Sequence, residues 1–245
     1  MKSDNIIFSP LNPQVVLGIA AHPDDLDYGA AGTMAKYAAM GAEVYYVIIS
    51  DGSKGSEDRN ITPPQLVAMR ESEQRDAVKI IGGKNVSFLG YSDGEIEVTM
   101  TLKKDIAREI RRIKPDVVIT MDPTVVYNAE MGFINHPDHR AVGQATMDAV
   151  FPLARDHMSL HGLLQEGFEP HKTTTLLLSS LSRSSANYFE DITDTFNVKE
   201  KALEAHKSQV ADPESTNKWL KELAANAGKR HSVDLAEEFV RIDIR

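Results

Sequence analysis

Two short stretches of the chain combine imidazoles and carboxylates closely enough to hold a metal ion: Ala21-His22-Pro23-Asp24-Asp25 and His136-Pro137-Asp138-His139. A catalytic zinc takes three protein ligands from His and carboxylate and leaves one position to water. His22 and Asp25 lie three apart, so on a turn both side chains can converge on one ion, and His139 or His136 can supply a third ligand from a second loop. Four ionisable groups beside the metal exceed what a structural site needs, and the surplus points to a working base and an electrophile. The 245 residues include no cysteine. That excludes disulfides, thiolate metal sites and cysteine nucleophiles, leaves His, Asp and Glu as ligands, and fits a reducing compartment.

Motifs so far apart in the chain need a fold that brings their loops together. Apolar runs at Val15 to Ala21, Val44 to Ile49, Val86 to Leu89, Asp116 to Met121 and Thr174 to Ser179 are short, bounded by turn residues, and read as buried strands. Between them, helical spacing covers Tyr28 to Met40, Pro63 to Ile81 and Thr101 to Ile113, each stopped by Gly or by Lys-Pro. The final third reads as helical through Val198 to Gln209, Glu214 to Ala225 and Val233 to Phe239. The expectation is a single α/β domain over residues 1–245, with a catalytic core about 14–240. Its Rossmann-like, mostly parallel sheet is flanked by helices and carries ligands beyond the carboxyl ends of its strands. Both motifs fall at such ends.

Met1 to Pro13 has neither a basic nor an apolar leader pattern, and no apolar run is long enough to span a bilayer. A cytoplasmic protein without a membrane span is expected. The net charge of −9 argues against nucleic acid as a partner.

Taken together, these residues resemble the PIG-L/LmbE superfamily of zinc-dependent N-acetylglucosaminyl deacetylases. The two His-Pro-Asp motifs match its signatures, with further agreement in Arg70-Glu71-Ser72-Glu73, Asp93-Gly94, Asp122-Pro123 and His206-Lys207-Ser208-Gln209. The resemblance implies Zn2+ on His22, Asp25 and His139, and Asp24 as general base. It also implies that His136 polarises the acyl oxygen or protonates the leaving amine, that Asp138 orients His136, and that Arg70 lines the substrate pocket. The substrate implied is a small amino sugar or glycoconjugate, and the assembly a homo-oligomer, a trimer or hexamer. Leu26-Asp27 departs from the many relatives with glutamate after the first motif.

Blander readings exist for each residue. Asp24 and Asp25 suit a helix N-terminus, any one His near a turn is more often structural than ligating, and Arg70 sits where a solvated ion pair would also fit. Two His-Pro-Asp motifs at strand ends of one fold outweigh these. Asp51-Gly52-Ser53-Lys54-Gly55-Ser56 lacks the ending of a phosphate-binding loop and reads as a lip of the pocket. Asp93-Gly94 reads as a turn and His206 as structural, while His157, His161, His171 and His231 fall outside any ligand spacing. A dinucleotide-binding oxidoreductase is disfavoured because Gly-x-Gly-x-x-Gly is missing from the first turn. A metallophosphoesterase, an amidase for another N-acyl substrate and a non-catalytic sugar binder stand as alternatives. The loop Asp122 to Asn135 and the segment Val150 to Lys172 are expected to shape the choice of acceptor.

Overall fold

The computed structural model describes residues 9–129, 132–179 and 186–245. In chain order it runs β1 (Val15–Ala20), α1 (Asp25–Gly29), α2 (Ala31–Ala39), β2 (Glu43–Ser50), α3 (Pro63–Ile80), β3 (Asn85–Tyr91), α4 (Met100–Ile113) and β4 (Val117–Met121). A small hairpin follows, β5 (Tyr127–Asn128) with β6 (Phe133–Ile134), then α5 (Pro137–Asp148), which continues into a wider turn at Ala149–Leu153. The chain ends with α6 (His161–Gln165), β7 (Thr175–Ser179), β8 (Tyr188–Asp191), α7 (Phe196–Glu204), α8 (Pro213–His231) and β9 (Ala236–Asp243).

Seven strands form one sheet in the order β3-β2-β1-β4-β7-β9-β8. The first five are parallel, and β9 runs antiparallel to both of its neighbours. The order reverses between β1 and β4, where crossovers leave in opposite directions and open a crevice at the strand ends. β1 is apolar on both faces, as a central parallel strand requires. Val16 and Ala20 face one core with Tyr37, Tyr46 and Phe239, and Leu17 and Ile19 face the other with Leu102, Ile106 and Ile110. No helix among the described residues is long and apolar enough to cross a membrane.

The five strands expected from apolar runs are present. The helix expected over Tyr28 to Met40 is broken at Ala30, whose φ of −149° ends α1 and starts α2. The buried Glu237 carboxylate then accepts the α2 amides of Gly32 and Thr33, at 3.2 and 2.8 Å. Residues 233–239 are corrected from helix to the approach and first half of β9. The spacing of Val233, Ala236 and Phe239 suits either period over so short a window, and pairing on both sides, Phe239 with Ser179 and with Tyr188, decides for strand. Gly143 explains how α5 comes close to β4: a Cβ there would lie 2.3 Å from the Met121 carbonyl oxygen.

The segment after α5 is held by Arg111 of α4. Its buried guanidinium donates to the carbonyls of Leu153, Ala154, Asp156, Ser159 and Phe168 at 2.9 to 3.4 Å. Replacing Arg111 by Met leaves those carbonyls to compete for water in a buried position. Urea unfolding is expected to show a loss of about 2–4 kcal/mol, whereas a loss under about 0.5 kcal/mol, the range of ordinary surface changes, would remove this role.

Candidate active site

β1 delivers His22 to the crevice, and the loop that follows turns sharply. Asp24 adopts φ 92° and ψ −29°, a left-handed conformation unusual for a residue with a side chain and costing on the order of 1–3 kcal/mol. Two consecutive carboxylates thereby separate. Asp25 turns back on its own loop, accepting the His22 backbone N–H at 2.7 Å and lying 3.3 Å from His22 Nδ1. Asp24 faces Arg70, 3.5 Å from Nη2.

The second motif enters from the other side of the crevice. Pro137 opens α5 at a position where its missing N–H costs nothing, and His136 caps the helix, its Nδ1 accepting the Asp138 amide at 3.2 Å. One turn on, His139 Nε2 approaches Asp25 Oδ1 to 3.1 Å. The imidazoles of His22, His136 and His139 form a triangle with centroids 4.8 to 5.4 Å apart.

Whether a metal ion fits is answered by these donors. Bonds of about 2.0–2.1 Å at tetrahedral angles place ligand atoms about 3.3–3.4 Å apart; Asp25 Oδ2 stands 3.3 Å from His22 Nδ1 and Asp25 Oδ1 stands 3.1 Å from His139 Nε2, so each imidazole meets a different oxygen of that carboxylate. The outer nitrogens are also engaged. His22 Nε2 lies 3.0 Å from Asp93 Oδ1 and 3.3 Å from Asp138 Oδ2, and His139 Nδ1 lies 3.2 Å from Asn135 Oδ1. A proton on each outer nitrogen would suit these oxygens and leave the inner nitrogen for an ion. Ring nitrogens of His22, His136 and His139 approach one another within 4.8 Å, and so do ligand atoms of His22, Asp93 and Asp138. The latter group is already held by amides: Asp93 accepts from Lys54, and Asp138 from Gly94 and Ile96. We therefore read it as the frame of His22.

The carboxylate expected to orient His136 is placed otherwise. Asp138 reaches that ring through its backbone N–H, while its buried side chain serves His22 and the Gly94 loop. Arg70 is also more enclosed than a pocket wall suggests. It is 4% exposed and donates to the carbonyls of Gly52 and Pro23, at 3.0 and 2.8 Å, besides facing Asp24. The lip at residues 51–56 wraps around its head, and a Cβ on Gly52 or Gly55 would come within 2.8 Å of Nη1. Asp93, which reads as a turn in the sequence, and Asn135, which carries no motif, both stand against the imidazoles, at His22 and His139 respectively. His206 is structural as expected, fully buried against Asp27 at 2.9 Å.

Electrostatics follow from this crowding. Burial disfavours the charged form of His22, but Asp25 and Asp93 outweigh it and push the imidazole up to about 10. That is a measure of how strongly the pocket favours positive charge. Burial also opposes ionisation of Asp25, yet His139 and His22 hold it well below the usual carboxylate range. Asp24 goes the other way. Burial and the adjacent Asp25 charge push it up to about 7, against the pulls of Arg70, His206 and His22. A carboxylate poised there is suited to general base work near neutrality. His136 is lowered, by burial and by the His22 charge, which favours the neutral ring. With Nδ1 accepting, that ring carries its proton on Nε2 as a donor.

From Asp25 and His139 a cavity of about 300 Å³ runs toward α8. Trp219, Leu223 and Ala227 of α8 line it, as do Val125 and Phe133. The expectation for the loop Asp122 to Asn135 agrees with this lining, whereas α8, and not the segment Val150 to Lys172, forms the far wall. Lys199, on the same lining, is held by Glu237 at 2.5 Å and by the Tyr28 carbonyl at 2.7 Å.

Comparison with known proteins agrees with the geometry. The family model for PIG-L, GlcNAc-PI de-N-acetylase, matches residues 17–150, a span that includes both motifs. The chain is 31% identical over 239 residues to the diacetylchitobiose deacetylase of Thermococcus kodakarensis, covering 96% of this chain and 86% of that protein. It is 33% identical over 142 residues to a probable N-acetyl-alpha-D-glucosaminyl L-malate deacetylase of Bacillus anthracis, covering 57% and 60%. The N,N'-diacetylchitobiose deacetylase of Pyrococcus horikoshii, solved with its inhibitor MPG, superposes with a TM-score of 0.86 at 30% identity over 95% of this chain and 85% of that one. The family model, together with relatives about 30% identical over most of both chains, makes this chain a member of the PIG-L family of N-deacetylases.

Proposed function

We propose that the enzyme is a zinc-dependent hydrolase that removes the acetyl group from an N-acetylglucosamine unit carried on a neutral acceptor. The observation that supports it best is the convergence of His22, Asp25 and His139, with a buried carboxyl at Asp24 next in the chain. In this reading His22 Nδ1, Asp25 and His139 Nε2 hold the ion. Zinc, when bound, acts as a Lewis acid toward the acyl oxygen and lowers the pKa of water to roughly 7. Asp24 accepts a proton from the attacking water, and Arg70 keeps that carboxylate in position. His136 Nε2–H donates to the oxygen that becomes negative when the carbonyl turns tetrahedral. When the C–N bond breaks, the proton held by Asp24 passes to the departing nitrogen, giving acetic acid and a free amine, which exchange a proton to leave as acetate and ammonium. Water is consumed and the site returns to its starting charge.

The neutral acceptor is inferred from the cavity. Lys199 is the lysine on its described lining, and its ammonium is spent on Glu237 and Tyr28. Among the described lining residues no lysine or arginine is left to meet a malate or phosphate conjugate, whereas Trp219 offers an aromatic face to a second sugar ring. An assembly of three or six copies is also proposed, supported by the exposed apolar residues Val126, Tyr127 and Ile134 around the β5–β6 hairpin. Light scattering on the purified protein tests it, and a monomer at micromolar concentration rejects it.

Amine release from a panel of N-acetylglucosaminides by zinc-loaded protein tests the reaction. Neutral disaccharides are expected to outrun malate-linked and phosphate-linked substrates, and Trp219→Ala to raise KM for the disaccharide about 10-fold, the size of one lost aromatic contact. Equal rates across the panel would reject the neutral acceptor. Asp24→Asn is expected to keep one zinc per chain and lose about 100-fold or more in kcat, while His139→Ala loses the zinc itself. The reverse pattern in metal analysis would exchange these roles. Because Asp24 works only when ionised, kcat/KM of the wild type is expected to fall as the pH drops through a value at or below about 7; the charge of a bound cation can only lower that limb.

A further inference from the structure

The strained turn at Asp24 is gripped from α3. The peptide unit joining Pro23 to Asp24 has both polar ends engaged there: its carbonyl accepts from Arg70 Nη2 at 2.8 Å, and its N–H donates to Gln74 Oε1 at 2.9 Å. Arg70 and Gln74 lie one helical turn apart and are both buried, on the stripe that otherwise carries Leu66, Ala77 and Val78 into the core.

The side-chain amide of Gln74 is not free to rotate. Its Nε2 donates to Asp27 Oδ2 at 2.8 Å. A backbone N–H only donates, so the amide must present its oxygen, and not its NH2, to Asp24, and the NH2 then faces Asp27. Asp27 is itself fully enclosed, taking the Tyr46 hydroxyl on Oδ1 at 3.2 Å and His206 Nε2 on Oδ2 at 2.9 Å. His206 arrives from the end of α7, far from either motif in the chain. A continuous buried path thus runs from His206 through Asp27 and Gln74 to the backbone of Asp24, with no member touching the ligand atoms of the proposed ion.

We propose that Gln74 is a positioning residue for the base. It holds the left-handed turn that sends Asp24 toward Arg70 while Asp25 turns to the two histidines, and the Asp27–His206 pair keeps its amide the right way round. The inference rests on the reading of Asp24 as the base. A glutamine that merely filled the core would be replaceable by an apolar side chain of equal length, whereas one that sets the turn would not.

Gln74→Met keeps length and burial and removes both bonds. In the zinc-loaded variant kcat is expected to fall about 10-fold or more, with KM within about two-fold of wild type and zinc stoichiometry unchanged. In parallel, NMR hydrogen exchange of the Asp24 backbone amide is expected to accelerate about 10-fold or more. Unchanged exchange shows that the clamp does not exist, and faster exchange with unchanged kcat shows that the clamp does not serve the base; either overturns the proposal. If Gln74→Met does not fold, Gln74→Asn, which withdraws the amide by one carbon, is read by the same two measurements. Exchange is measured without substrate. A failure of the proposed reaction would therefore appear in the wild-type amine assay, and a failure of the clamp only in the variant.

Discussion

The imidazole of His22 is the point on which the rest of the site hangs. One of its nitrogens looks toward Asp25 and the other toward Asp93 and Asp138, so the ring lies between negative groups from three different loops. Buried carboxylates at such spacing repel one another and are tolerated only around a positive centre. A proton or a cation must therefore complete the cluster, and the fold supplies the frame for it: amides of Lys54, Gly94 and Ile96 hold the outer carboxylates, and Asn135 holds the second imidazole.

That frame explains why the order of the sheet matters. His22 follows β1 and the second motif follows β4, neighbouring strands whose crossovers diverge. Residues on the two loops meet because the crevice lies between them, and Gly143 lets α5 lie against the end of β4 without a side chain in the way. Arg70 and the glycines of the 51–56 lip then close the third side, with the guanidinium taking the space that side chains at Gly52 and Gly55 would need.

Much of this was legible in the residues. Short β-branched runs marked the parallel strands, and two His-Pro-Asp motifs at strand ends marked the cluster of imidazoles and carboxylates, because parallel strands must be buried and the loops at their carboxyl ends converge. What stayed hidden depended on pairing across the chain. β9 exists because β7 and β8 pair with its two edges, and the run from Val233 to Phe239 carries no period strong enough to reveal it. Asp93 looks like any turn aspartate until His22 is seen beside it. Gln74 did leave a trace, a polar residue in phase with Leu66, Ala77 and Val78 on a core-facing stripe, but its partners Asp24 and Asp27 lie far back in the chain, around the first motif.

Glu237 ties the far end of the molecule to the near one. It sits in β9, accepts the first amides of α2, pairs with Lys199 and contributes to the cavity wall. The cavity lining and the seating of α2 thus share one carboxylate. A lineage remodelling this wall for a different sugar is accordingly freer to vary Trp219 or Leu223, which project from α8 alone, than the strand beside them, and diversification within such enzymes should concentrate on that helix.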